Sequence, residues 1–520
     1  MPKGLHMIRE KSSKQLSLSE FMTPNGRGLL NDNRWVKLAK VVPWEALTAA
    51  YNSVMNPDVG RPGKPARLVI GALIIKHKLN YSDEETVLQI QENQYLQYFC
   101  GLDVYEDKPP FAPSLFVDIR KRMSAEMFAA FEQGIVNQHV KIEAAKNNDE
   151  EPPTDSGSTD DKKPTTHSGK LLMDATVADQ MIRFPTDFGL LNEAREITER
   201  LIDKLHEEIG GTKPRTYRQR ARKEYLAISK RKKAGGKLIR KGIRQQLQYV
   251  KRNLGYISVM LDSLMTHEGC TFPLNHRLQR QYWIIQVLYA QQQAMYDSKT
   301  RRCSDRIISI SQPHVRPIVR GKAGSAVEFG SKISVSMMGK LAFVDHLSWD
   351  AFNESTDLKT HVRRYKERFG VYPESVHADG VYGTRDNRKW LKDKKINFAG
   401  KPLGRPRKET PENAKELKQI RKQRRLDERI RIPIEGKFGQ GKNGYRLNQI
   451  RARLASTAQA WVRSIFLVMN LVALAKFLLP KIQINLFQAM SIWIQEYHIK
   501  HQRILNSWKG DMGYKWSIFA

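Results

Sequence analysis

Glu435 is the lone carboxylate in a cationic stretch that runs from Arg431 to Arg446 as Arg-Ile-Pro-Ile-Glu-Gly-Lys-Phe-Gly-Gln-Gly-Lys-Asn-Gly-Tyr-Arg. Two earlier carboxylates match it in kind: Asp174, in Lys170-Leu-Leu-Met-Asp-Ala-Thr-Val177, and Asp379, in Ser375-Val-His-Ala-Asp-Gly-Val-Tyr-Gly383. Each follows a short apolar run that reads as a strand, and carboxylates projected from strand ends can meet across a sheet. Two Asp and one Glu from separate elements suit magnesium, which takes a few carboxylates and leaves its other positions to water and phosphate oxygens. Two such ions about 4 Å apart activate a water or a DNA hydroxyl and stabilise the leaving oxygen of an in-line phosphoryl displacement. Three anions held together also repel and titrate upward without a counter-charge, so the site is expected to assemble with metal and DNA.

An Asp after a strand is more often a turn or a cap than a catalyst. The shared setting is what distinguishes these three. Arg431 precedes Glu435 by four residues and Lys442 follows it by seven, which on a helix puts all three on one face, able to grip successive phosphates. His314, His346, His361 and His377 do not fall at metal-ligand spacing and read as structural. Asp345, Asp350 and Glu354, near Trp349, are the substitutes should Asp379 not serve. No phosphate-binding loop of the Walker type is present, so ATP is not implied.

The elements that must position these groups belong to a chain of 520 residues, long enough for roughly two to four domains. Its formal net charge of +34 is self-repelling and points to a polyanionic partner, nucleic acid first. Cys100, Cys270 and Cys303 are odd in number and far apart, which excludes a disulfide framework and a paired zinc site and fits a reducing cytoplasm. The charged residues 1–15 lack a signal peptide's apolar core. The apolar run over 465–479 is shorter than the roughly 20 residues that a bilayer requires and reads as a buried helix, so no membrane partner is expected.

Residues 1–60 form an N-terminal segment of unclear role. Over 61–146 a small all-α domain is expected, with helices at 68–79, at 86–95 behind a Ser82–Glu85 capping box, at 114–123 and from 124 to about 145. It reads as a DNA-binding helix-turn-helix or as a packing or dimerisation module; Asp83, Glu84, Glu85 and Glu92 disfavour contact with phosphates. Residues 147–169 read as an acidic, flexible linker. Beyond it lies a mixed α/β domain over 170–480: a strand at 170–177 continued as a hairpin by 180–184, a helical stretch about 190–300, short strands at 306–311, 314–319, 332–338 and 341–345, a helix over 358–369 capped by Gly370, a strand at 375–378, a helix at 384–394 and a strand at 396–399. A basic arm over 404–431 leads into the helix of Glu435, and an aromatic tail over 481–520 carries no chemistry. Within the helical stretch 213–244 is dense in Lys and Arg, and Lys230, Arg231, Lys232 and Lys233 are expected to contact DNA phosphates.

These blocks resemble the DDE transposases of bacterial insertion sequences, most closely the insertion-sequence-five family. The spacing Arg431, three residues, Glu435, six residues, Lys442 is similar to that family's signature around its third carboxylate. His377 to Asn387 resembles its second-Asp block, Met173-Asp-Ala-Thr176 its first, and 64–102 the helical domain often found ahead of the catalytic one. The signature Tyr three positions before the Arg is Glu428 here, with Tyr445 nearby. The resemblance covers roughly 61–479. It implies an RNase H-like fold, two Mg2+ or Mn2+ ions held by Asp174, Asp379 and Glu435, and cleavage and strand transfer at the terminal inverted repeats of an insertion sequence. Arg431 and Lys442, with Tyr445 and Arg446 beside them, would bind that DNA. A homodimer or larger synaptic oligomer acting on terminal-repeat and target DNA, in the cytoplasm and on the nucleoid of a bacterium, is expected. Asp174 and Asp379 lie about 205 residues apart (379 minus 174), long for the bare fold, so the helical stretch would be an insertion. Two alternatives differ in outcome: an inactive DNA-binding derivative of such an enzyme, and a host nuclease of the same fold that cuts without joining.

Overall fold

The computed structural model describes residues 6–7, 17–23, 28–55, 61–148, 166–265, 271–319, 327–405 and 407–477. The expected linker falls largely, and the 481–520 tail wholly, outside the described residues.

Among the described residues seven helices precede the main sheet: α1 (Arg34–Val41), α2 (Trp44–Asn52), α3 (Ala66–Leu79), α4 (Asp83–Glu92), α5 (Gln94–Phe99), α6 (Leu115–Arg122) and α7 (Ala125–Asn148). The first two occupy the segment whose sequence carries no motif; their buried Trp35 and Trp44 stack edge-on against Phe99. α3 is apolar nearly all round and is buried nearly all round. It stops where Asn80 turns into the left-handed region (φ 58°), and the Asn80 side chain donates to the Gly444 carbonyl at 2.7 Å. α4 starts on the Ser82 hydroxyl, which accepts from the Glu85 amide at 3.0 Å. Of the acids on its first turn, Asp83 faces inward and pairs with Lys76 (2.8 Å) and Arg120 (2.7 Å).

The sheet is built from β1 (Lys170–Asp179), β2 (Arg316–Val319), β3 (Val327–Met338), β4 (Leu341–Ser348), β5 (Ser375–His377) and β6 (Asn397–Phe398). β1 lies between β3, antiparallel to it, and β5, parallel to it; β6 follows β5 in parallel. β2 and β4 run along the other edge of β3, both antiparallel. The molecule is therefore a mixed-sheet α/β protein with many helices. Between β1 and β2 the chain leaves the sheet for α8 (Asp187–Ile209), α9 (Arg218–Ser229), α10 (Gly236–Leu264) and α11 (His276–Asp297), which bury Leu201, Leu205, Val250, Ile257, Ile285 and Leu288 in a core of their own.

Two expected strands are not formed. Residues 306–311 are irregular because Ile307 and Ile310 are used to close the helical core and Arg306 is held by Asp187 at 2.5 Å. Residues 180–184 do not return as a hairpin; Gln180 instead bridges to Ile450. The apolar runs are real in both cases, but another element covers them first.

After the sheet's first edge come α12 (Leu358–Phe369), closed by Gly370 at φ 78°, then α13 (Arg385–Asp393), α14 (Ala414–Gly444) and α15 (Ala455–Phe477). The expected basic arm over 404–431 is irregular among its described residues up to 413 and from Ala414 is the first half of α14, continuous with the helix of Glu435 through Pro433. Alternation in β1 sorts its side chains to two layers. Leu171 and Met173 pack with Val362, Tyr365 and Val376, whereas Leu172 joins Ile333, Val335 and Met337 in a core shared with α15 and the N-terminal helices. Asp174 and Thr176 share the parity of Leu172 and so point to the side that α14 crosses. By length and composition α15 is the one helix among the described residues able to cross a membrane, and 67% of its most apolar stretch is buried inside the fold.

Candidate active site

Each acid owes its position to a different local rule. Asp174 sits within β1, its Oδ1 accepting from the Ala175 amide at 2.8 Å. Asp379 follows β5 and caps the short turn Gly380–Tyr382, with Oδ1 accepting from the Gly380 amide at 2.6 Å. The parallel register that pairs Leu172 with His377 leaves each aspartate two residues beyond that pair, on adjacent chains that in a sheet run about 5 Å apart. Glu435 comes from α14, which crosses above. All three line one cleft of about 810 Å3, together with Glu354, Lys332, Arg431 and Lys442.

The cations in that cleft are already engaged. Arg431 bridges two of the acids, at 2.7 Å from Glu435 and 3.5 Å from Asp174. Lys332 holds Glu354 at 2.9 Å, and Lys442 stands 3.5 Å from Glu328 and 3.8 Å from Asp179. Burial raises the Asp174 carboxyl above the ordinary aspartate range; the Ala175 amide and Arg431 pull it back, while Glu354 and Asp379 push it further up. Among the described residues no three of His, Cys, Asp and Glu are gathered closely enough to hold an ion as they stand. The donors themselves are all carboxylate oxygens, the set that a hard divalent cation takes, and the guanidinium of Arg431 supplies the neutralising charge between two of them.

Glu354, set aside in the sequence as a substitute, lines the cleft in addition to Asp379. It opens the turn Glu354–Asp357 behind an Asn353 cap, a short element without periodicity, and its one sequence signal is that it follows the β4 strand as Asp379 follows β5. Asp345 is buried between His361 (2.5 Å) and Arg368 (2.7 Å), and Asp350 is exposed; neither lines the cleft. The four histidines also stand outside it. His346 pairs with Asp357, His361 with Asp345 and the Ser334 hydroxyl, His377 with Ser375, and His314 packs against Trp349, where burial, aided by Arg280 and Arg316, lowers its pKa to about 4.

The other residues expected from the sequence to bind DNA lie elsewhere. Tyr445 is buried in the main core and Arg446 is exposed beside it; both face a smaller pocket shared with Lys76, Arg120 and Trp461. Lys230, Arg231, Lys232 and Lys233 are exposed on the turn between α9 and α10.

Two family models match the chain: a transposase DDE domain over residues 376–472, which contains Asp379, Arg431, Glu435 and Lys442, and a transposase domain of otherwise unassigned role over 26–122, spanning α1 to α6. An uncharacterized protein of Rhizobium meliloti, ORF8 in the nfe locus, is 28% identical over 169 residues, which is 32% of this chain and 72% of that protein. No solved structure matches the chain significantly. The two domain matches support a DDE transposase, with the acids Asp379 and Glu435 inside the matched DDE domain.

Proposed function

We propose that the protein cleaves the terminal inverted repeats of its own insertion sequence and joins the freed ends to target DNA. The observation that carries this reading is the convergence of Asp174, Asp379 and Glu435 on one cleft beside Arg431 and Lys442. The sheet order supports an RNase H-like catalytic unit: a central β1 with antiparallel β3 beside it and β4 beyond β3 on one side, and parallel β5 and then β6 on the other, with α8 to α11 inserted after β1. Asp174, Asp379 and Glu435 would hold Mg2+ or Mn2+, which supplies an activated water or hydroxyl and a charge for the leaving oxygen. The chain's own groups do the rest. Arg431 exchanges its carboxylates for the phosphate flanking the scissile bond, Lys442 holds a neighbouring phosphate, and Glu354 keeps Lys332 in place at the cleft floor. Terminal-repeat and target DNA in a bacterial cytoplasm, brought together by a homodimer or synaptic oligomer, complete the reading.

The test is end cleavage and strand transfer by purified protein on cognate ends with magnesium, comparing wild type with Asp174→Asn, Asp379→Asn and Glu435→Gln. Each variant is expected to lose both reactions by more than about a hundredfold while binding DNA as before. Retained cleavage in any of them removes that residue from the site. Binding without cleavage in the wild type favours an inactive derivative, and cleavage without joining a nuclease.

A further inference from the structure

Where β1 leaves the sheet, the chain passes Met181, Arg183 and Phe184 before the Thr186 cap of α8. This stretch, the first turns of α8, the start of α11 and the connection between α14 and α15 enclose a cavity of about 320 Å3. Arg183, Arg200, Arg277 and Arg453 line it, against one carboxylate, Glu193. All four arginines are exposed, and among the described residues none has a carboxylate at ion-pair distance, in contrast to Arg431 and Lys442. Glu193 is one carboxylate against four guanidinia; burial raises its carboxyl, with Arg183 and Arg200 opposing.

The frame is fixed before any ligand arrives. The Met181 amide donates to the Ile450 carbonyl at 2.9 Å, and the Gln180 side chain donates to the Ala452 carbonyl at 2.9 Å, so the segments bearing Arg183 and Arg453 are tied to each other. Phe184 is 73% exposed with one edge on Phe329, an apolar rim beside the cations. Guanidinia converging from four segments raise the local positive potential and attract an anion, and a planar guanidinium grips a phosphate through two parallel hydrogen bonds. The cavity also lies past the end of β1 that follows Asp174. Asp179 is five residues along β1 from Asp174, about 16 Å at roughly 3.3 Å per residue, and the arginines lie beyond it. At about 3.4 Å per base pair this is about five base pairs of duplex.

We propose that this arginine pocket is a second anchoring site for the phosphodiester backbone, holding the duplex about five base pairs from Asp174. The inference rests on the reading that the acid cleft takes DNA. Its test uses the full-length protein and labelled duplex of arbitrary sequence, comparing wild type with the triple variant Arg183→Gln, Arg200→Gln, Arg277→Gln. Each phosphate contact contributes about 0.9 to the slope of log affinity against log salt, so the variant's slope should be shallower by two to three. In the wild type, duplex DNA should also protect these arginines from phenylglyoxal, a readout that needs no variant to fold. An unchanged slope, or arginines modified equally with and without DNA while the wild type binds, overturns the pocket and leaves the transposase reading intact. A wild type that binds no duplex overturns both.

Discussion

Arg431 is the residue on which the site turns, because its guanidinium already spans Glu435 and Asp174. A cation so placed relieves the repulsion between the two acids. Its partner Glu435 is half exposed, so the ion pair itself contributes under about 1 kcal/mol to stability. Arg431→Lys should therefore melt with the wild type yet lose most end cleavage, since lysine cannot form the bidentate phosphate contact. Near-normal cleavage by this variant would reduce Arg431 to an ion-pair partner. Asp174 makes the opposite case. Its folded carboxyl binds a proton at higher pH than the unfolded one, so this group's contribution to stability falls as pH rises from the ordinary aspartate value through the raised folded one. At neutral pH the ionised group strains the fold. Asp174→Asn should consequently melt no lower than wild type at about pH 7 while losing cleavage, and a clear drop in its melting temperature would show that the carboxylate has a structural task.

At the scale of elements, α14 carries both chemistry and charge. Its helical period puts Arg431 and Glu435 together, and the end near Lys442 is fastened to Asp179 and Glu328 on the ends of β1 and β3. The first half is exposed and basic and extends beyond the sheet. The turn between α9 and α10 has a different character, with four consecutive exposed cations suited to phosphates, which carry no sequence information. Neutralising Lys230, Arg231, Lys232 and Lys233 to Gln is expected to weaken binding to every duplex alike and to lower the salt slope by as much as about three or four. A slope equal to the wild type's, measured by titration across salt, would mark the turn as a solvated surface.

Across the whole molecule, the N-terminal helices and the sheet share one core, and a buried polar chain crosses between them. Glu132 on α7 meets Arg368 on α12 at 2.9 Å, Arg368 meets Asp345 on β4 at 2.7 Å, and Asp345 meets His361, whose other nitrogen reaches Ser334 on β3. Burial alone would raise the Asp345 carboxyl, but Arg368 and His361 outweigh it and hold it well below the usual carboxylate range. That stability is present above the unfolded aspartate value and is lost as pH falls toward the folded one. Removing Arg368 would take the ion-pair partner from the buried Glu132 and leave Asp345 with His361 and Arg364, the latter at 3.6 Å. Arg368→Met should lower the unfolding free energy by roughly 3–5 kcal/mol in denaturant titrations at neutral pH, and a change under about 1 kcal/mol would show the chain to be dispensable.

The sequence by itself determined what depends on near neighbours. The Ser82 and Gly370 caps, the alternation of β1 and the shared face of Arg431 and Glu435 were all legible, because caps and periodicities are set within a few residues. The three acids were legible as residue types in matching settings. That Asp174 and Asp379 stand side by side was decided by the parallel register of β1 with β5, a pairing across the whole helical insertion that no local pattern encodes. Tertiary structure alone added Glu354 to the cleft, buried Tyr445 away from it and diverted 306–311 to the helical core. An apolar run or a lone charge records what a segment must cover or pair with, and only the packed chain supplies the partner.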